Sequence, residues 1–304
     1  MWRENIDRLL SVKQDYTAHH ASFKCLRKTM RPLVLFHGGC NDGFCAAWIY
    51  RRYVNPQTEF RSVQYNTDPP EIEDRDVVIL DFSYERTLLM EMHDRAHSLL
   101  ILDHHETAES ELAGLDYCIF AQDKSGARMT WEHFFDPRSQ VSAADVPWLV
   151  AYTEDRDLWK WELDDSKAVN AALTSYPRDF AVWDGLAEKG PKALAAEGEA
   201  ILRFQHRLIH PRVKHHGWTT ISGFRVPISN ATFLTSEIGN ALAGGHPFSA
   251  VFFVRPDNKF VYNLRSKGED AADVGTIARS YGGGGHKHAA AFTLEKMLPI
   301  DSFE

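Results

Sequence analysis

The chain has 304 residues, 44% of them hydrophobic and 12% aromatic, and carries a formal net charge of -8 with 15 histidines uncounted. That is apolar material for one full core and more readily two, because single cores stop growing at about 250 to 300 residues. The acidic balance excludes the basic stripe with which duplex-DNA binders displace counterions, but not a small phosphate site in which a bound cation supplies the positive charge.

The four cysteines, Cys25, Cys40, Cys45 and Cys118, form no CxxC pair and no repeating spacing. This argues against a zinc knuckle and a disulfide framework and sets the expectation of a reducing, cytoplasmic setting. No apolar run reaches the roughly 18 residues that span a bilayer, and residues 1–30 lack the apolar segment of a signal peptide. Neither export nor a membrane partner is expected. Residues 1–30, ending at Met30, read as a helical extension or an upstream start.

From Leu33 onward, short apolar runs alternate with amphipathic ones. Residues 33–37, 60–65, 77–82, 99–104 and 117–121 read as buried strands, with helices over 42–52 and 85–96 between them. Such alternation predicts a mostly parallel, doubly covered sheet, whose ligands bind beyond the carboxyl ends of the strands. His37, Asp81 and the run Asp103, His104, His105 all fall at those ends.

Helical patterns follow over 125–135, 146–155 and the alanine-rich 191–208. Strands are then expected over 218–221, 225–229, 249–254 and 259–264, with helices over 233–243 and 274–281. The expected fold is therefore α/β in two parts. Residues 31–190 form a first domain, 191–215 a helical linker and 216–304 a smaller α/β domain, preceded by the extension over 1–30.

Mn²⁺ or Mg²⁺ prefers carboxylate oxygens supplemented by imidazole, and the required donors are present. His37 and Asp42 flank the turn after the first strand, Asp81 ends the third, His104 ends the fourth and Asp155 sits late in a helix. A carboxylate such as Asp81 can bridge two ions about 3.5 to 4 Å apart. Three polar residues in succession at the end of a buried strand, Asp103, His104 and His105, cost stability unless they bind something. A second signal is the run Gly282 to Gly285 before His286. It reads as a loop whose N–H groups approach a phosphate while His286 or Arg265 meets its charge.

These segments resemble the DHH phosphoesterase superfamily, in the oligoribonuclease and RecJ-like branch with a C-terminal DHHA1 domain. HGGCNDGFCAAW (37–48), VVILDFS (77–83), ILDHHET (101–107) and YTEDRDLW (152–159) are similar to its four ordered motifs. NLRSK (263–267) and VGTIARSYGGGGHKHAAAF (274–292) are similar to the DHHA1 substrate-binding signature. The resemblance runs from Leu33 to about Phe292.

It implies two Mn²⁺ ions, with Mg²⁺ or Co²⁺ as substitutes. One would lie on His37 and Asp81, the other on Asp42, Asp81, His104 and Asp155. Asp103 would orient its neighbours, and His105 would stabilise the scissile phosphate or donate a proton. A hydroxide between the ions would attack phosphorus, while Arg265, Gly284, Gly285 and His286 hold the rest of the nucleotide.

Two positions depart from the pattern or leave it open. Cys40 stands where many superfamily members carry the first of two motif I aspartates, so that either Cys40, Asn41 or water would complete the shell or that ion would bind weakly, and Asp157 competes with Asp155. The leading expectation is hydrolysis of phosphodiester bonds in short single-stranded oligonucleotides or in linear or cyclic dinucleotides. A phosphomonoesterase on 3′,5′-bisphosphorylated nucleosides and a catalytically weakened nucleotide sensor are the alternatives, and homodimerisation stays open.

Overall fold

A computed structural model describes residues 32–65, 67–135 and 146–301; the extension over 1–30 falls outside them. Strands β1 (Leu33–His37), β2 (Glu59–Val63), β3 (Asp76–Leu80), β4 (Ser98–Asp103) and β5 (Cys118–Phe120) form one sheet in the order β2-β1-β3-β4-β5, with every pair parallel. Because side chains alternate across a strand, Val34, Phe36, Leu80 and Leu102 face one core, shared with helix α1 (Asn41–Ile49). Leu33, Leu35, Ile79 and Ile101 face the other, with Leu89 and Met92 of α2 (Arg86–Arg95).

The strand order reverses at β1. Its neighbours β2 and β3 lie on opposite sides, so the connections leaving the carboxyl ends of β1 and β3 diverge and open a crevice. The register pairs Phe36 with Leu80, which delivers the next residues, His37 and Asp81, side by side at that opening.

Helix α3 (Glu106–Glu111) lies between β4 and β5, and helices α4 (Gly126–Phe135) and α5 (Trp148–Asp157) follow the sheet. Two helices that the sequence pattern did not announce, α6 (Ser166–Ser175) and α7 (Phe180–Lys189), bring Val169, Leu173 and Trp183 into the α1 core. Helix α8 (Pro191–Lys214) is longer than expected, and its 24 residues span about 36 Å at 1.5 Å per residue. It packs on α6 so closely that a Cβ at Gly198 would stand 1.8 Å from the Ala168 carbonyl oxygen.

Beyond α8 comes a second, six-stranded sheet. It comprises β6 (Gly217–Ile221), β7 (Phe224–Asn230), β8 (Ser249–Val254), β9 (Phe260–Arg265), β10 (Gly284–His286) and β11 (Ala289–Leu294), in the order β10-β11-β9-β8-β7-β6. Only β7 and β8 run parallel. Helices α9 (Thr235–Leu242) and α10 (Val274–Ser280) cover it, over a core containing Ile228, Phe248, Tyr262, Leu264 and Phe292.

The expected glycine loop is corrected here. Gly284, Gly285 and His286 form an edge strand on β11. The glycines serve close approach: a Cβ at Gly283 would meet the Ala291 carbonyl oxygen at 2.1 Å, and Gly285 takes φ +135°. Both sheets belong to one compact unit, Pro32–Glu304. Among the described residues no helix is long and apolar enough to cross a membrane.

Candidate metal centre

Asp42 lies in the first turn of α1, yet its carboxylate belongs to another helix. It accepts the backbone N–H groups of Gly126 (2.6 Å) and Ala127 (3.1 Å) at the start of α4, where a helix N-terminus favours negative charge. Gly126 leaves the room: a Cβ there would stand 2.6 Å from Asp81 Cβ and 2.9 Å from Asp42 Oδ2. Asp81, just beyond β3, holds a left-handed backbone at φ +56°, a conformation that costs a non-glycine residue about 1 to 3 kcal/mol.

Asp81 Oδ1 stands 3.1 Å from His104 Nε2, and its Oδ2 stands 3.4 Å from His37 Nδ1. The same His104 nitrogen lies 3.4 Å from Asp157 Oδ2 and 3.9 Å from Asp42 Oδ2. Asp42, Asp81 and His104 are all nearly inaccessible to solvent. Among the described residues three triads bring a potential ligand atom from each member within 4.8 Å of the others: Asp42, Asp81, His104, then His37, Asp81, His105, and His104, His105, His286.

Burial and the charges of Asp81 and Asp157 push the Asp42 carboxyl well above the usual carboxylate range. Asp157 is raised too, by loss of solvation first. Burial would also raise Asp81, but hydrogen bonds with His104 and His37 outweigh it and hold that carboxyl well below its ordinary value. Burial would lower His104, but Asp81 and its fellow carboxylates push it well above an ordinary imidazole.

Among the described residues the ion pairs of these three carboxylates are all with histidines. Asp42 and Asp81 are buried while Asp157 is partly exposed, and buried carboxylates lacking lysine or arginine partners call for a cation. The donor set of carboxylate oxygens and imidazole nitrogens fits divalent Mn²⁺ or Mg²⁺.

Of the two aspartates that compete in this segment, the structure brings Asp157 to His104, and among the described residues no ion pair joins Asp155 to it. Asp155 Oδ1 accepts the Glu162 N–H at 2.8 Å, and its backbone carbonyl accepts from Lys160 and Trp161. It thus closes the turn after α5, while Asp157, two residues on, meets His104.

Cys40 is the N-cap of α1: its Sγ accepts the Gly43 N–H at 3.2 Å and lies 3.1 Å from Asp81 Oδ2 and 3.5 Å from His37 Nδ1. Burial and then the nearby Asp81 push its thiol upward. Asn41, the other residue considered at this position, faces away, to Thr174 and Arg178.

Asp103 is fully buried and organises the motif around it. It accepts the His104 N–H (2.8 Å) and the Ser83 hydroxyl (2.6 Å), and pairs with His105 Nδ1 at 2.6 Å. Burial would lower the His105 imidazole, but the Asp103 charge outweighs it and raises it. Ser83 had not been singled out, although it ends the VVILDFS segment.

From the second sheet, His286 stacks on His105 at a ring-centroid separation of 4.9 Å and approaches His104 at 5.0 Å. Burial and then the His105 and His104 charges push it down to about 3, leaving it neutral. Gly284 packs on Thr107 of α3, and Arg156 pairs with Glu237 of α9 at 3.0 Å, so the two sheets enclose a cleft of about 3000 Å³.

Arg265, Gly284, Gly285 and His286 all line this cleft, as do Lys267 and Lys287. Arg265 is held by the Ser236 hydroxyl and the Leu264 carbonyl, and burial lowers its guanidinium to about 10. Tyr65, also not anticipated, is half exposed on the cleft wall, 5.6 Å from the His37 ring.

No family model matches the chain. Over 301 residues it is 30% identical to the uncharacterized protein R106 of Acanthamoeba polyphaga mimivirus, covering 90% of this chain and 69% of that protein. Among solved structures it is similar to the pGpG-specific phosphodiesterase PggH from Vibrio cholerae, with TM-score 0.47 and 14% identity, covering 87% of this chain and 93% of that one. It is also similar to an uncharacterized protein from Helicobacter pylori G27, with TM-score 0.36 and 13% identity over 88% and 94% of the two chains.

Proposed function

The chain belongs to the same family as the uncharacterized mimivirus protein R106, and on the chemistry of its site we propose that it is a metal-dependent phosphodiesterase of the DHH type. It hydrolyses phosphodiester bonds of short oligonucleotides or of linear or cyclic dinucleotides, in a reducing, cytoplasmic setting. The observation that carries the reading is the convergence of Asp42, Asp81 and Asp157 on one buried histidine nitrogen, His104 Nε2.

In this reading His37 and Asp81 hold one divalent ion and Asp42, Asp81, His104 and Asp157 hold a second, with Mn²⁺ as the expected metal. Such ions lower the pKa of bound water and neutralise phosphoryl oxygens. The remaining tasks fall to side chains. Asp103 fixes the ring of His105 and favours its protonated form, and His105 stabilises the phosphate or donates a proton to the leaving oxygen. Neutral His286 adds a polar contact without adding charge. Arg265 and the bare backbone of Gly284 and Gly285 hold the part of the nucleotide that does not react.

The division of labour follows: 31–190 for catalysis, 191–215 as linker and 216–304 for substrate. A cleft of about 3000 Å³ exceeds the roughly 300 to 1,000 Å³ of ordinary small-molecule sites, which favours a dinucleotide or longer over a single nucleoside bisphosphate.

The test is a panel of dinucleotides, short RNA and DNA, cyclic dinucleotides and 3′,5′-bisphosphorylated adenosine, incubated with Mn²⁺ and resolved by chromatography. Mononucleotides released from the dinucleotides and oligonucleotides are the expected products. Inorganic phosphate from the bisphosphate with every diester intact would establish the phosphomonoesterase instead, and no turnover of any member would establish a sensor.

A further inference from the structure

The centre contains one donor that a set of hard oxygen ligands does not need. Cys40 Sγ, His37 Nδ1 and Asp81 Oδ2 form a triangle with edges of 3.1 Å (S to O), 3.5 Å (S to N) and 3.4 Å (N to O). A tetrahedral zinc with bonds of about 2.3 Å to sulfur, about 2.0 to 2.1 Å to nitrogen and about 2.0 to 2.2 Å to oxygen sets those edges at about 3.6, 3.6 and 3.4 Å. The two nitrogen edges agree within about 0.1 Å, and the sulfur to oxygen edge needs to open by about 0.5 Å. Three elements supply the donors: the end of β1, the N-cap of α1 and the turn after β3.

The Gly43 N–H donates to Sγ at 3.2 Å and fixes the sulfur beside His37 and Asp81. Gly43 lets the first turn of α1 approach the end of β1, since a Cβ there would stand 2.5 Å from the His37 carbonyl oxygen. The neighbouring seat differs in kind. Asp42, Asp81, Asp157 and His104 offer three carboxylates, one imidazole and no sulfur.

We propose that Cys40, His37 and Asp81 form a thiolate-containing seat selective for a thiophilic divalent ion of the Zn²⁺ or Co²⁺ class, beside an oxygen-rich seat for Mn²⁺ or Mg²⁺. The pair of sites thereby becomes a mixed-metal centre. The proposal rests on the metal-dependent reading above and specifies the chemistry of one of its two seats. On binding, the Cys40 S–H proton passes to solvent and the sulfur lone pair forms the bond to the metal, with no change of oxidation state. Soft thiolate ligands select ions in this way, while carboxylates suit Mg²⁺ and Mn²⁺.

The test uses the full chain, stripped of metal and titrated with Co²⁺ as a spectroscopic probe. A sulfur-to-cobalt charge-transfer band in the near ultraviolet is expected in the wild type and in Asp157→Asn, and its absence is expected in Cys40→Ser and Cys40→Asp. Serine and aspartate are both good N-caps, and circular dichroism verifies that the variants fold. In competition, Zn²⁺ affinity should fall in Cys40→Ser by more than the about 10- to 100-fold that loss of an outer-shell partner costs. Cobalt bound with its visible d–d bands but without the charge-transfer band would overturn the thiolate seat and leave the metal-dependent reading standing. No cobalt bound at all would overturn both.

Discussion

Asp103 Oδ1 holds His105 Nδ1 at 2.6 Å, from a carboxylate that is fully buried and anchored by the Ser83 hydroxyl. The pair couples a strand end to the face of the cleft, and against the lowering effect of burial the Asp103 charge raises the His105 imidazole.

Replacing Asp103 with asparagine keeps the shape and removes the charge. The raised His105 pKa contributes stability that is fully present below the unfolded value of about 6.5 and lost as pH rises through the folded value. In Asp103→Asn that contribution should vanish. The alkaline limb of the rate profile should move to lower pH, and kcat should fall by about 10²-fold or more. A pH series of kcat with a dinucleotide substrate reads both effects.

Asp155 and Asp157 should separate cleanly. In the metal-free protein the raised pKa of Asp157 means that the folded state binds a proton more tightly than the unfolded one. Stability from this group therefore falls as pH climbs from the ordinary carboxylate pKa through the raised one. Asp157→Asn should flatten that slope and hold or raise the metal-free Tm at pH 7, while shrinking the increase in Tm on adding Mn²⁺. Asp155→Ala frees the Glu162 N–H, and should cost about 1 to 3 kcal/mol with the metal-induced increase intact. Calorimetry with and without Mn²⁺ distinguishes the two.

Two glycines give a matched contrast. A Cβ at Gly126 would intrude on Asp81 and Asp42, whereas one at Gly198 would intrude on the α6 backbone. Gly126→Ala should weaken Mn²⁺ binding by about tenfold or more, because changes that displace the groups holding metal ligands in place act on that scale. Gly198→Ala should lower stability by about 1 to 3 kcal/mol and leave Mn²⁺ affinity of the folded protein unchanged. Equilibrium dialysis and urea unfolding measure the two quantities.

The first sheet was legible because buried parallel strands are near-continuous apolar runs, and residues such as His37, Asp81 and His104 interrupt those runs at their ends. Rotation of a helix was not legible. Asp155 and Asp157 are two positions apart, about 200° around α5, and only the packing of α5 decides which faces His104. The β10 strand was hidden for a related reason: a glycine run carries no β-propensity, and Gly284 and Gly285 take their extended form from pairing with β11. Helix α7 did carry a signal, the Asp179 side chain that caps Val182 N–H. Helix α6 starts after Asp165 in a left-handed conformation with no side-chain cap, and offered none.

The most direct test of the account is the number of divalent ions that each chain retains when dialysed against Mn²⁺ and Zn²⁺ together, for the wild type and for Asp81→Ala. Two ions per wild-type chain, and loss of tight binding at both seats in a folded Asp81→Ala protein, are the predicted result, since Asp81 reaches His37 through one oxygen and His104 through the other. A wild type that retains no ion, or an Asp81→Ala protein that retains as many as the wild type, would contradict it.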